Sequence, residues 1–173
     1  MTAAERAAAN AAICDAANAL LAARLSPGQA LALYAAKGSE VDTSRIDDVA
    51  RAHGLVVAYP RVNGQERLLR FHAVTPAELA PARFGLREPR ADAPVVEVGE
   101  IAAFVVPGLA FDAAGRRIGW GRGHYDATFA TASPAAVRIG LAFERQLVDE
   151  VAHEPHDVAL HIIITEVATH MVV

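Results

Sequence analysis

Ile13, Ala17, Leu20, Leu21 and Leu25 recur at the three- and four-residue intervals that line one face of an α-helix, and Ser26-Pro27-Gly28 then breaks the pattern. The chain therefore opens, within residues 1–25, on a helix that leans against an apolar surface. Residues 30–35 (ALALYA) form a continuous apolar run of strand length, followed by a Lys37-Gly38-Ser39 turn. Thr43 is placed to cap a second helix that carries Ile46, Val49 and Ala50 on one face and meets Gly54 as its stop. Residues 55–59 then read as a strand closed by Pro60.

Residues 67–74 mix apolar and polar positions as a strand with one wetter side does, and residues 76–79 suit a helical turn. Proline-rich residues 84–94 read as loop, and residues 102–106 as a buried strand ended by Pro107. A helix is expected over residues 124–130, with buried strands over 137–143 and 161–165. Strands alternating with helical segments predict an α/β fold, a three-layer α-β-α sandwich around a mixed, mostly parallel sheet. Neither a repeat nor a linker divides the chain, so residues 1–173 are read as one domain.

The 173 residues suffice to bury about two-thirds of the unfolded surface around one core. A net charge of −4 supplies no broad positive field for nucleic acid. An anionic ligand must instead meet a local group of arginines and backbone amides. Cys14 is the only cysteine, which rules out an intrachain disulfide and points to a reducing, cytoplasmic setting. Glu5, Arg6, Asp15 and Arg24 interrupt the first helix, so it reads as neither a signal peptide nor a membrane span.

The chemistry concentrates between Val106 and Asp126. Asp112 with Gly115 three positions on fits a tight turn, and Gly119, Gly121 and Gly123 then alternate. Those glycines remove the Cβ atoms that would hold an oxyanion off the backbone. The expected helix from His124 adds amides and a positive dipole end, and Arg116, Arg117 and Arg122 add mobile charge. The spacing is neither GxxxxGK[ST] nor GxGxxG, and taken alone it equally describes an exposed turn.

VPGLAFD (106–112), GRRIGWGRGHYD (115–126), IGLAFERQL (139–147), HEPHD (153–157) and IIITE (162–166) stand in an order that resembles the 5-formyltetrahydrofolate cyclo-ligase family. SEVDT (39–43) is similar to that family's upstream substrate segment. The resemblance implies ATP- and Mg2+-dependent closure of 5-formyltetrahydrofolate to 5,10-methenyltetrahydrofolate, with release of ADP and phosphate. It implies a nucleotide loop made of Arg117, Ile118, Gly119, Trp120, Gly121, Arg122, Gly123, His124 and Tyr125, with Arg122 and Tyr125 closest to catalysis. Ala35, Glu40, Phe71, Trp120 and His124 would meet the folate, Glu40 on the donor edge of the pterin, and Asp126 and His161 would hold the metal.

Each assignment has a plain structural counterpart. Arg122 is otherwise a solvated cation, Asp126 a complement to the helix dipole, Glu40 a turn residue, Phe71 core and Trp120 a loop anchor. The partners expected are small molecules, with neither nucleic acid nor membrane, and the chain is expected as a monomer or small homo-oligomer.

Three departures from the family pattern stand out. No basic K-x-x-L-R helix is found, Arg6 being the only cation before Arg24. His161 stands where the family carries an aspartate, and imidazole is a poor ligand for Mg2+. His124 takes a position that is commonly aromatic. The missing cations and His161 support an alternative in which reduced folate or nucleotide is bound without turnover. His153, His156, His161 and His170 match no zinc spacing.

Overall fold

The protein is described by a computed structural model covering residues 1–64 and 66–172. Helix α1 (Ala3–Arg24) starts at a reciprocal cap: Glu5 donates its backbone N–H to the Thr2 hydroxyl, and its carboxylate accepts the Thr2 N–H. There follow β1 (Ala30–Ala32), α2 (Ser44–Ala52), β2 (Val56–Val62), β3 (Leu69–Ala73), a small hairpin β4 (Ala80–Pro81) and β5 (Arg87–Glu88), and β6 (Val95–Val96). The second half holds β7 (Ile101–Val106), the hairpin β8 (Ala110–Phe111) and β9 (Arg117–Ile118), α3 (His124–Phe129), β10 (Val137–Leu141), β11 (Ile162–Ile164) and β12 (Thr169–Met171).

Eight strands form one sheet in the order β12-β11-β10-β7-β1-β2-β3-β6. Strands β1, β2, β7, β10 and β11 run parallel, while β3 and β12 are antiparallel to their neighbours. The sheet is thus mixed and mostly parallel, as expected. Its continuous apolar runs follow from burial on both faces. Ala103, Val105, Ile162 and Ile164 pack under α1 and α2, whereas the alternating Phe104, Val106 and Ile163 face the opposite layer. That second layer is thinner, made of α3, the β8–β9 hairpin and the connection that carries Leu147, Val158 and Leu160.

Several local expectations are corrected. Pro60 lies inside β2 instead of ending it; β1 pairs only as far as Ala58, so the missing N–H breaks no bond of that parallel ladder. Thr43 precedes α2 but does not cap it with its side chain. Its buried hydroxyl donates to the Tyr34 carbonyl at 2.7 Å, and Asp42 Oδ1 instead accepts the Ser44 N–H at 2.9 Å. The 84–94 stretch contains β5, and Phe84 sits in the left-handed region at φ 60°. Strand β6, a bare Val95–Val96 pair, is too short to signal itself, and β12 (Thr169–Met171) has no apolar run.

One buried ion network ties α2 to the sheet. Asp47, 1% exposed, accepts two hydrogen bonds from Arg51 at 2.8 and 2.9 Å and one from the Tyr59 hydroxyl at 2.9 Å. Arg51 also donates to the Val74 carbonyl. Tyr59→Phe removes one charged-acceptor bond and is expected to lower stability by about 1.5 kcal/mol, read as a lower urea midpoint at unchanged slope.

Candidate active site

Strand β1 connects to β2 on one side, whereas β7 returns to lie against β1 on the other. The order of the sheet therefore reverses between β1 and β7. Crevices outside the carboxyl ends of strands at such a point are where ligands bind in open α/β sheets. The loop after β1 carries Lys37 and Glu40, and the one after β7 leads through the β8–β9 hairpin into the glycine loop.

The β8–β9 hairpin is fixed by packing and by a buried carboxylate. The Phe111 ring, fully buried, fills the space beside two glycines: a Cβ on Gly108 would lie 2.5 Å from its Cζ, and one on Gly140 2.8 Å from its Cε1. Asp112, 2% exposed, accepts backbone N–H groups from Ala114, Arg116 and Val151 at 2.9–3.0 Å. The Gly115 N–H donates to the Asp112 carbonyl, which closes the expected tight turn. Gln146 donates to the Gly108 and Leu109 carbonyls and braces the same segment.

Beyond β9 the chain is open. Trp120 is 69% exposed, Arg122 is exposed, and Gly121 and Gly123 adopt φ of 73° and 62° with free space where a Cβ would stand. Among the described residues no protein acceptor takes the N–H of Gly119, Trp120, Gly121, Arg122 or Gly123. Arg122 lays its guanidinium 4.4 Å from the Phe84 ring centre. Lys37 places its ammonium 5.6 Å from the Trp120 ring and donates to the Phe84 carbonyl. The loops around residues 37, 84 and 120 thus meet at one place, and the exposure of Trp120 disfavours its reading as a buried anchor. Sequence reasoning missed Lys37 and Phe84, which belong to no motif; only their distant loops, brought together by the sheet, reveal them.

Glu40 lies half-buried in that group. Its Oε2 accepts the Lys37 N–H at 2.8 Å, so it does close a turn. Burial raises its pKa, opposed by the Lys37 N–H, the Trp120 indole and the Lys37 charge. Tyr125 is held as a neutral phenol: burial raises its pKa, with Arg117 opposing and Glu40 adding to the rise. It stands as a hydrogen-bond donor, not a base. His124 Nδ1 donates to the Arg67 carbonyl at 2.8 Å, and Ala35 is half-buried beside the core. Phe71 is 1% exposed with its ring 5.6 Å from Phe104 in an edge contact, so it is core and offers no ligand wall.

The residues expected to hold Mg2+ do not fit it. Asp126 has both oxygens 3.1 Å from Arg117 Nη2, and its Oδ1 also accepts the Val158 N–H. The side chains of this pair are 7% and 13% exposed, and the guanidinium packs over the rings of Tyr125 and Phe129 at 5.4 and 5.7 Å. Both His161 ring nitrogens face Arg138, at 3.1 Å from its backbone nitrogen and 2.7 Å from Nη2. Burial and then Arg138 lower the His161 pKa, as befits a ring beside a fixed cation. Among the described residues no three His, Cys, Asp or Glu side chains gather as a metal cage. A cavity of about 200 Å³ borders Arg116, Arg117, Asp126, His153 and Asp157, and residues 118–125 of the expected nucleotide loop do not line it.

Arg6 reaches out of α1 to the carbonyls of Gly38 and Glu40 at 2.8 and 3.3 Å, on the turn that holds Glu40. No helix among the described residues is long and apolar enough to cross a membrane.

The sequence model of the 5-formyltetrahydrofolate cyclo-ligase family matches residues 1–166. A 5-formyltetrahydrofolate cyclo-ligase from Mycolicibacterium smegmatis is 34% identical over 143 residues, 80% of this chain and 74% of the relative. One from Escherichia coli is 29% identical over 141 residues, covering 78% and 76%. The fold resembles a 5,10-methenyltetrahydrofolate synthetase from Aquifex aeolicus with a TM-score of 0.81 at 24% identity, covering 99% of this chain and 85% of the other. For a synthetase from Mycoplasma pneumoniae the TM-score is 0.77 at 22% identity, covering 96% and 90%.

Two stability outcomes follow from this geometry. Asp126→Ala leaves a buried guanidinium without its counter-charge and is expected to cost about 3 kcal/mol, measured by chemical denaturation. For Glu40 the folded pKa lies above its ordinary 4.5, so its favourable contribution is complete below that value and is lost as pH rises through the folded pKa. Glu40→Gln is therefore expected to melt higher than the parent at neutral pH, with the difference closing below pH 4.5; thermal scans across pH check this.

Proposed function

The chain belongs to the 5-formyltetrahydrofolate cyclo-ligase family of ligases, and from that membership we propose that it closes 5-formyltetrahydrofolate to 5,10-methenyltetrahydrofolate using ATP at the crevice between β1 and β7. The observation that carries this reading is the meeting of two loops there: Lys37 and Glu40 from one, and Trp120 with the unpaired amides of residues 119–123 from the other.

The reaction has a leaving-group problem, since a formamide oxygen does not depart on its own. The formyl oxygen attacks the γ-phosphorus of ATP and ADP leaves, giving a phosphorylated imidate. N10 then attacks the formyl carbon, the C–O bond breaks to release phosphate, and the N10 proton is lost, leaving the methenyl bridge. Magnesium would come with ATP as its complex, since Asp126 and His161 are engaged by Arg117 and Arg138.

Most of the protein's share is alignment and charge. Amides of residues 119–123 offer donors to phosphate oxygens without a Cβ in the way at the three glycines. Arg122 supplies a planar pair of donors for the transferred phosphoryl group once it leaves the face of Phe84. Glu40 accepts from the donor edge of the pterin, and Trp120 and Phe84 offer exposed aromatic faces for stacking. Tyr125, kept protonated, donates a hydrogen bond to a developing oxyanion.

Arg122→Ala is expected to reduce kcat/KM for ATP roughly a hundredfold while leaving the melting temperature nearly unchanged, since the side chain is exposed. Methenyltetrahydrofolate absorbance in the presence of ATP and magnesium reads the rate. Tight folate binding with no turnover by the parent protein would end the ligase reading, and an unaltered rate in the variant would end the role of Arg122.

A further inference from the structure

Arg6, Asn10 and Cys14 stand four residues apart on α1 and so share one stripe of that helix. All three end on residues 38–42, the segment that contains Glu40. Arg6 donates to the Gly38 and Glu40 carbonyls. Asn10 brackets the backbone of Asp42, its Oδ1 accepting the Asp42 N–H at 2.7 Å and its Nδ2 donating to the Asp42 carbonyl at 3.3 Å. Cys14, fully buried, directs its thiol to the same carbonyl at 3.3 Å. Burial and the nearby Asp42 push that thiol up to about 11, so it stays a neutral donor.

The segment is held from within at its base and by the short turn that Glu40 closes on Lys37. Tyr34 donates to the Val41 carbonyl and Thr43 to the Tyr34 carbonyl, which closes the base of the loop. Its tip, Gly38 to Glu40, has solvent on one side and α1 behind it. On the side of the crevice Glu40 meets the Trp120 indole, and Lys37, just before the tip, meets the Trp120 ring and the Phe84 carbonyl. The geometry points to Asn10 as a positioning residue: its two bonds to Asp42 fix the backbone from which Glu40 projects, so Asn10 acts on the folate through Glu40. This inference rests on the reading of Glu40 as a folate contact.

Asn10 suits a test better than its neighbours on the stripe. Arg6 also packs over Phe143, and Cys14 is core. Asn10 is only half-buried, and both Asp42 groups it serves are open to water once it is removed. Truncation should therefore loosen the loop without unfolding the chain.

The decisive experiment is a cycle of Asn10→Ala, Glu40→Gln and the double variant, with KM for 5-formyltetrahydrofolate, KM for ATP and kcat measured in each. Asn10→Ala is expected to raise the folate KM roughly tenfold with kcat and the ATP KM within about twofold of the parent. The double variant is expected to match Glu40→Gln alone, because a loosened loop has nothing left to misplace. Asn10→Asp, which keeps the acceptor for the Asp42 N–H, should recover part of the loss, and it carries the same cycle if Asn10→Ala does not fold. Additive effects would overturn the positioning role and leave Glu40 as a folate contact. An unchanged folate KM in Asn10→Ala would do the same. An unchanged folate KM in Glu40→Gln would remove both readings together.

Discussion

The architecture of the crevice depends on one steric fit, the seating of Phe111 in the space that Gly108 and Gly140 leave free. These glycines lie beyond β7 and within β10, so a single ring joins both strands to the hairpin above them. A Cβ at either glycine would stand under 3 Å from the ring, well inside contact distance, and the hairpin would have to lift. Asp112 then converts that position into a direction, gathering three backbone N–H groups so that the chain leaves β9 toward the β1 loop. An exposed loop with unpaired amides is thereby mounted on a rigid base, which is what a site that works by alignment requires.

Charge is arranged on a similar principle of fixed partners. The buried Arg117 side chain meets the Asp126 carboxylate, half-buried Arg138 meets the His161 ring, and both guanidinium groups lie beside Phe129. A guanidinium as buried as that of Arg117 needs its counter-charge, because desolvation would otherwise exceed any gain from packing. Arg122 and Lys37 lie instead over the exposed rings of Phe84 and Trp120, contacts that hold a cation only weakly at the surface. The buried pair braces the fold, while Arg122 and Lys37 stay at the mouth of the crevice.

Much of this could be read from the residues. Apolar runs such as AAFVV and III announced buried parallel strands, because burial on both faces leaves no polar alternation to obscure them. The order of motifs pointed to the family. Pro60 misled because a proline ends a strand only where its missing N–H would face a paired neighbour, and which positions are paired is a property of the sheet. Phe71 and Asp126 looked like ligand groups because residue type and spacing do not reveal what lies across the layer. Phe104 covers the first and Arg117 claims the second. Asn10 carried no signal at all, since its partner is 32 positions away in the chain.

The second face of the sheet combines four phenylalanines, at 71, 104, 111 and 129, with Ala30, Ala32 and Ala58 beneath them. Bulk on one side is admitted by smallness on the other, and neither can drift alone. Enlarging an alanine demands that a ring shrink or turn, so substitutions tolerated here should arrive as matched pairs. The high alanine content of the strands is then the complement of an aromatic layer, and any redesign of this half of the protein has to conserve their sum of volumes before it considers either partner.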